Sequence, residues 1–520
     1  MCENIESSPI VARLQKALSK DHNNGLGSLK KEDGRFTKDP SETLEVLMKA
    51  HFPGSIILGG NHLVSDGARS TQDWSIDAYN KTSEILTQSK VEWALSSFNP
   101  YKSAGRDGIF PALLQQGKEM ICLELTELFR ASIILSHIPK TWREVRVVFI
   151  PKAGKRDKTS SKAFRPISLS SVILKLMEKI IDDFVKSKYL TKFPLNKSQF
   201  AYQRGKSTIT ALHALVTKIE KSLSAKEVAL CAFMDIEGAF DNASHESIRK
   251  ALEFREFDKC IIDWIETMLT NREISAELAG EELVIKSTKG CPQGGVLSPL
   301  LWSLIVDDLM KKLSELGFEV IGYADDVCII VRGKHEGTIS CRMQSALNFT
   351  AKWCRKEGLG INPSKTTIIP FTKRRTVLLN NFTVSGVVID LSAEVKYLGV
   401  TLDKKLNWNS HLENVIIKGT NALWVCKRTF GKKWGLHPKM IQWIYTCIVR
   451  PIISYASLIW WPKTKELTTQ KKLGKLQRLA CLSVTGAMHS TPSMALTAIL
   501  NILPLHQFVE LQACLPNEPR

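Results

Sequence analysis

The stretch IGYADDVCIIV, residues 321–331, sets two adjacent aspartates, Asp325 and Asp326, inside an otherwise apolar run. Its flanks alternate as strands do, with Ile321 and Tyr323 before the pair and Val327, Ile329 and Val331 after it, so the segment reads as a β-hairpin. Aspartate is a common turn residue, and a turn by itself accounts for the pair. A second segment changes that reading. VALCAFMDIEGAF, residues 228–240, is a near-continuous apolar run that reaches Asp235 at its end, the pattern of a strand buried on both faces. If the two segments are neighbours, three carboxylates meet at one sheet edge. Clustered carboxylates repel unless cations neutralise them, which hard, oxygen-preferring divalent ions, Mg²⁺ above all, can do. Two such ions about 3.5–4 Å apart would activate an attacking hydroxyl and stabilise a leaving pyrophosphate. Unconnected turn and cap aspartates are the competing reading of the same residues.

The chain has 520 residues, 44% of them hydrophobic and 24% charged, which is ordinary globular usage and long enough for several domains or one multi-lobed unit. Its 71 Lys+Arg against 52 Asp+Glu leave a formal charge of +19, which points first to nucleic acid and second to an anionic membrane surface. The excess is concentrated. Lys140–Arg165 holds nine basic residues and two acids, and Cys426–Arg478 holds twelve basic residues and one acid. The second stretch also carries Trp424 just before it and Phe430, Trp434, Trp443, Tyr445, Trp460 and Trp461 within it; cations beside aromatic faces suit phosphates and stacked bases, although core packing is the favoured reading of the rings themselves. Twelve cysteines without a CxxC pair or zinc spacing read as free thiols in a reducing compartment. The N-terminus has no apolar run of the secretory kind. The most apolar stretch, IYTCIVRPIISYASLIWW, has Arg450 and Pro451 in its middle and reads as a buried helix pair rather than a span.

Residues 20–80 mix Gly, Asn and charge without period and read as loop or linker. Helices are expected at about 83–98, 112–136 and 338–357, and from about 410 onward; REVRVVFIPKAGK reads as a strand entering a basic loop, and VKYLGVTLD as a short strand.

Around the aspartates stand further motifs. In chain order they are VVFIPKAGK, FRPISLSSVILKLMEKI, QFAYQRGKSTITAL, FMDIEGAFD, GCPQGGVLSPLLW, YADD, LGINPSKT and KYLGVTLD. Together they resemble the successive motifs of reverse transcriptases. NPYKSAGRDGI looks like the extra upstream motif of the non-LTR retrotransposon branch, and the tail LGKLQRLACLSVTGAMHSTPSMALTAILNILPL is similar to the segment after the thumb in jockey-like insect elements. The resemblance covers roughly residues 85–510.

The resemblance implies an α/β right-hand polymerase with fingers, palm sheet and helical thumb. Asp235, Asp325 and Asp326 map to the metal-binding carboxylates of two Mg²⁺ ions, with Mn²⁺ as an alternative, and Ile236 offers its backbone carbonyl. Lys152 and Arg165 map to the contacts with the incoming triphosphate, and Gln293 and Gly294 to the nucleotide. Phe240 maps to the aromatic position that excludes ribonucleotides. Lys365 matches the proposed proton donor to pyrophosphate, a surface lysine being its plain alternative, and Tyr397, Leu398 and Gly399 match the primer grip. The partners so implied are an RNA template, a DNA primer and deoxynucleoside triphosphates, with no membrane; the oligomeric state stays open. The implied divisions are a linker at 1–80, an extension and fingers at 81–230, a palm at 231–402 within a reverse transcriptase domain of about 140–402, a basic thumb and post-thumb segment at 403–510, and a tail at 511–520. Element polyproteins of this kind carry an upstream endonuclease, and some a C-terminal RNase H. Residues 1–80 leave no room for the first, the chain reaches Arg520 without the second, and a Cys/His knuckle is missing, so a truncated copy acting in the nucleus after cytoplasmic synthesis is expected. A decayed copy that only binds nucleic acid and an intron-type enzyme with a maturation role are the competing readings.

Overall fold

Strand Val228–Glu237 organises the molecule, because its alternate residues enter two different cores. Val228, Leu230, Ala232, Met234 and Ile236 join one apolar cluster, and Ala229, Cys231 and Phe233 join another on the opposite face. This is the two-sided burial that the continuous apolar run requires. With both faces apolar, alternation alone does not set the register. The charged end does, since a slip along the strand would draw Asp235 into the apolar interior.

The computed structural model describes residues 27–31, 33–58, 76–152, 154, 157–270, 272–428 and 437–515. Phe430 and Trp434 of the basic, aromatic stretch lie outside these residues, as do the N-terminus and residues 59–75 of the expected linker. Strands β1 (Ile56–Ile57), β2 (Glu144–Pro151) and β3 (Phe164–Leu169) come first, then the central β4 (Val228–Glu237). They are followed by β5 (Glu273–Leu278), β6 (Glu281–Lys286), β7 (Glu319–Tyr323), β8 (Asp326–Gly333), β9 (Gly360–Ile361) and β10 (Thr367–Phe371). Two small hairpins close the series, β11 (Phe382–Val384) with β12 (Val387–Ile389), and β13 (Glu394–Tyr397) with β14 (Val400–Asp403).

One sheet runs β1-β6-β5-β2-β3, with only β2 and β5 parallel. The other runs β10-β4-β8-β7, all antiparallel, with β9 pairing the end of β4. The sheets do not follow the division at 230/231, because β5 and β6 return from the later part of the chain to complete the first sheet. Helices Val172–Lys192, Ser298–Glu315 and Glu336–Lys356 cover one face of the second sheet. Helix Thr208–Ser224 and the C-terminal helices cover the other.

Three local readings change. Pro40–His51, inside the expected linker, is a helix: the Asp39 side chain accepts from the Glu42 amide, Pro40 opens the first turn, and Leu44, Leu47 and Met48 pack under the first sheet. The helix expected at 112–136 is two, Pro111–Gln116 and Lys118–Ile134, parted at Gly117. VKYLGVTLD is a hairpin with a two-residue turn, not one strand. Among the described residues no single helix is long and apolar enough to cross a membrane; the apolar stretch forms a pair of helical segments bent by 54°, with Tyr445, Val449, Ile453 and Trp460 buried in the second core. The ten cysteines whose side chains are described are free.

Candidate active site

β4 and β8 bring the three carboxylates to one edge. Asp235 stands directly opposite Asp326, and the Ile236 amide donates to the Asp325 carbonyl at 3.1 Å. That bond makes Asp235 and Asp326 a non-hydrogen-bonded pair, whose Cβ atoms approach to about 4.5–5.5 Å on one face. In extended backbone N–H and C=O point the same way, so the Ile236 carbonyl faces the β7–β8 turn as well. The turn is Ala324–Asp325, with Ala324 at φ +56° and its carbonyl held by the indole N–H of buried Trp302 at 2.9 Å.

Like charges directly opposite destabilise a sheet, and the titration of the site reflects it. Burial, followed by the charges of Asp325 and Asp235, pushes the Asp326 carboxyl up to about 7. Asp325 is also raised, chiefly by burial and further by Asp235, against the lowering pull of its own backbone amide, Lys365 and Arg165. The Lys365 ammonium reaches Asp235 Oδ2 at 2.6 Å. Burial opposes the charge of Lys365, but the bonds to Asp235 outweigh it and raise its pKa. Its loop is tied to the strand end, since the Asn362 amide donates to the Asp235 carbonyl at 3.2 Å and the Asn362 side chain to Glu237 at 2.7 Å.

Among the described residues no three acidic, His or Cys side chains close on a single metal position. The donor set is nevertheless all hard oxygen, with excess negative charge and an ammonium already standing in for a cation on Asp235. Those features fit divalent ions of the Mg²⁺ type.

The remaining residues fall into three groups. Arg165, exposed on β3, lies within electrostatic reach of Asp325. Lys152, at the end of the β2–β3 hairpin, donates to the Lys162 carbonyl at 2.9 Å and is felt by half-buried Asp241, whose carboxyl desolvation lifts to about 6. Gln293 and Gly294 join the sheets: the Gln293 carbonyl accepts from the Ser168 amide at 2.8 Å, and the Phe240 carbonyl accepts from the Cys291 amide at 2.7 Å. Gly294, at φ +124°, admits no side chain, because a Cβ there would lie 2.8 Å from the Ser168 carbonyl oxygen. The half-buried Phe240 ring packs 6.5 Å from Trp302. Tyr397 is buried against Phe233 at 4.9 Å, and its phenol is pushed well above its ordinary range by burial and then by Cys328, Asp326 and Tyr323.

The family described as reverse transcriptase (RNA-dependent DNA polymerase) matches residues 150–402, the span that holds both the carboxylates and the β13–β14 hairpin. Residues 150–402 are a reverse transcriptase domain. A probable RNA-directed DNA polymerase from transposon BS of Drosophila melanogaster is 26% identical over 416 residues, 79% of this chain and 46% of that protein. The RNA-directed DNA polymerase from mobile element jockey of the same species is 28% identical over 337 residues, 64% of this chain and 36% of that protein. The chain thus spans about half the length or less of these curated relatives. Both relatives are named as RNA-directed DNA polymerases of a transposon or mobile element, and the fold of this chain is mixed α/β. An apo telomerase structure from Candida tropicalis, at 14% identity and a TM-score of 0.35 over 51% of this chain and 54% of that one, is too loose a superposition for comparing sites.

The reverse transcriptase domain also uses residues that motif reading passed over. Fully buried Glu178 accepts from the Val296 and Leu297 amides at 2.5 and 3.0 Å, occupying free N–H groups ahead of helix Ser298–Glu315 and fixing the Pro292–Gly295 loop. Burial raises its carboxyl above the usual range. Buried Arg272 holds the Gly290 carbonyl at 2.6 Å from the far side. Glu178 left a trace in the sequence, a charge among Leu174, Met177 and Ile181 on the apolar side of its helix. Arg272, at the entry to β5, left none.

Proposed function

We propose that this chain is the RNA-directed DNA polymerase of a non-LTR retrotransposon, extending a DNA primer on an RNA template with deoxynucleoside triphosphates. The observation that carries the reading is the Asp235–Asp326 pair in register on β4 and β8 with Asp325 in the adjoining turn. Three carboxylates, two of them raised by burial and by one another, accumulate charge that divalent cations relieve.

Asp235, Asp325, Asp326 and the Ile236 carbonyl would hold two Mg²⁺ ions, whose chemistry is to activate the primer 3′-hydroxyl and neutralise the departing pyrophosphate. The chain's own residues do the rest. Arg165 and Lys152 bind the triphosphate from the first sheet. Gln293 and Gly294 present backbone to the nucleotide. The Phe240 ring lies under its sugar. Lys365, paired with Asp235, holds the proton that pyrophosphate takes up. The Tyr397–Gly399 turn orients the primer end. Purified protein is expected to extend oligo(dT) on poly(rA) with Mg²⁺ and to stop when the metal is chelated; tight binding of the primed template without extension would refute the proposal.

A further inference from the structure

The apolar stretch IYTCIVRPIISYASLIWW takes no part in the carboxylate edge, yet its bend makes a specific contact with the β13–β14 turn. The bend falls at Tyr455–Ala456, between helical segments Pro438–Ser454 and Ser457–Lys465. Ala456 is fully buried at φ +53°, a left-handed conformation that disfavours any residue with a Cβ. The Trp460 indole donates to the Tyr455 carbonyl at 3.1 Å, taking up an acceptor that the break sets free.

What the bend accomplishes is the placement of the Tyr455 phenol. Its oxygen lies 2.8 Å from the Leu398 carbonyl and 3.1 Å from the Thr208 hydroxyl. A carbonyl only accepts, so the phenol proton goes to Leu398 and the Thr208 hydroxyl can supply its own proton to the phenol. The ring covers Gly399, where an added Cβ would come within 3.2 Å of it. Leu398 and Gly399 form the β13–β14 turn with φ +44° and +84°. Positive φ at both positions is the hairpin geometry that favours Asn-Gly, and a leucine in the first place is strained. One phenol therefore joins two turns that each hold a non-glycine residue at positive φ. Strain of this kind persists only where surrounding contacts enforce it.

The third partner extends the connection to the catalytic hairpin. Thr208 begins the helix whose N-cap, Ser207, ends the loop paired with β7: the Phe200 amide donates to Gly322 at 2.9 Å and the Gly322 amide to Ser198 at 3.0 Å. We infer that Tyr455 is a positioning residue, whose hydroxyl holds the Leu398–Gly399 turn in the conformation that receives the primer end and ties that turn to the C-terminal helices. The inference rests on the reading of this turn as primer-contacting.

Tyr455→Phe keeps the ring over Gly399 and removes only the hydroxyl. The test measures amide hydrogen exchange over residues 397–401, melting temperature, and equilibrium binding of oligo(dT)-primed poly(rA) against unprimed poly(rA), none of which depends on turnover. The expected result is exchange faster by about tenfold at Gly399 and Val400, primed-template affinity weaker by about tenfold, and unprimed-template affinity within about twofold. Thr208→Val, which spares the Leu398 bond, is expected to leave both affinities within about twofold. Unchanged exchange in Tyr455→Phe overturns the latch itself. Faster exchange with unchanged primed binding overturns the primer assignment of the turn, and with it the inference. Equal weakening of both templates together with a lower melting temperature marks a merely structural tyrosine and overturns it too. A wild-type chain that binds but never extends a primer counts against the polymerase proposal and is read separately.

Discussion

Phe240→Ala separates a nucleotide gate from a packing anchor. Truncating a fully buried Phe costs about 3–5 kcal/mol. The Phe240 ring is only half-buried and its ring neighbour is Trp302, so about half of that, ~2 kcal/mol, is at stake. For a domain the size of residues 150–402 such a loss lowers the melting temperature by about 4–8 °C. The exposed part of the ring is what a sugar could meet. An apolar wall rejects an added hydroxyl by about a hundredfold, and that is the preference the variant stands to lose. The assay is single-nucleotide incorporation with dTTP and UTP on one primed template, alongside thermal unfolding. A gate gives a deoxy-over-ribo preference that falls by about a hundredfold while dTTP incorporation stays within about tenfold. An anchor gives the same loss of stability with discrimination intact, and that result would refute the assignment. Trp302 makes the two effects separable, because its bond to the Ala324 carbonyl keeps the Asp325 turn in place without the Phe240 ring.

Asp325→Asn is expected to abolish primer extension and leave primed-template affinity within about twofold, since phosphate contacts elsewhere carry the binding; extension above trace levels would sink the carboxylate assignment. Each basic side chain that neutralises a phosphate contributes about 0.7–0.9 to the slope of log affinity against log salt. Reversing Lys471, Lys472 and Lys475 to Glu should therefore reduce that slope, but less for Lys472, which is already paired with Glu413 at 2.9 Å. A slope unaltered by all three would make this helix a solvated face. His411 is buried between Trp408 and Trp460, and burial, aided by Lys418, lowers its pKa from 6.5 to about 4. The unfolded chain then binds the extra proton first, so the stability this site contributes is present above pH 6.5 and lost as pH falls toward 4. Asp326 and Asp241, raised to about 7 and about 6, slope the other way, so the readout is His411→Gln minus wild type: the variant should lose less melting temperature between pH 7 and pH 4, and parallel curves would contradict the burial argument.

Local pattern carried much of this protein. The apolar run of β4, the alternation flanking Asp325 and Asp326, and the order of the surrounding motifs are properties of neighbours along the chain, and they sufficed for the two palm-type strands, the hairpin and the fold class. The pairing of Asp235 with Asp326 was conditional in the sequence, because adjacency of segments ninety residues apart is a matter of packing; the sheet decides it. So too with β5 and β6, which leave the second half of the chain to complete the first sheet, since sheet membership follows hydrogen bonds rather than chain position. The partners of Glu178, Arg272 and Tyr455 lay beyond sequence reading for the same reason. A buried carboxylate on two amides, a guanidinium on a loop carbonyl and a phenol on a turn are each defined by a partner far away in the chain. Residue type and spacing determined which groups could do chemistry here; only tertiary structure, through long-range contacts that no local periodicity encodes, decided which of them are held in place to do it.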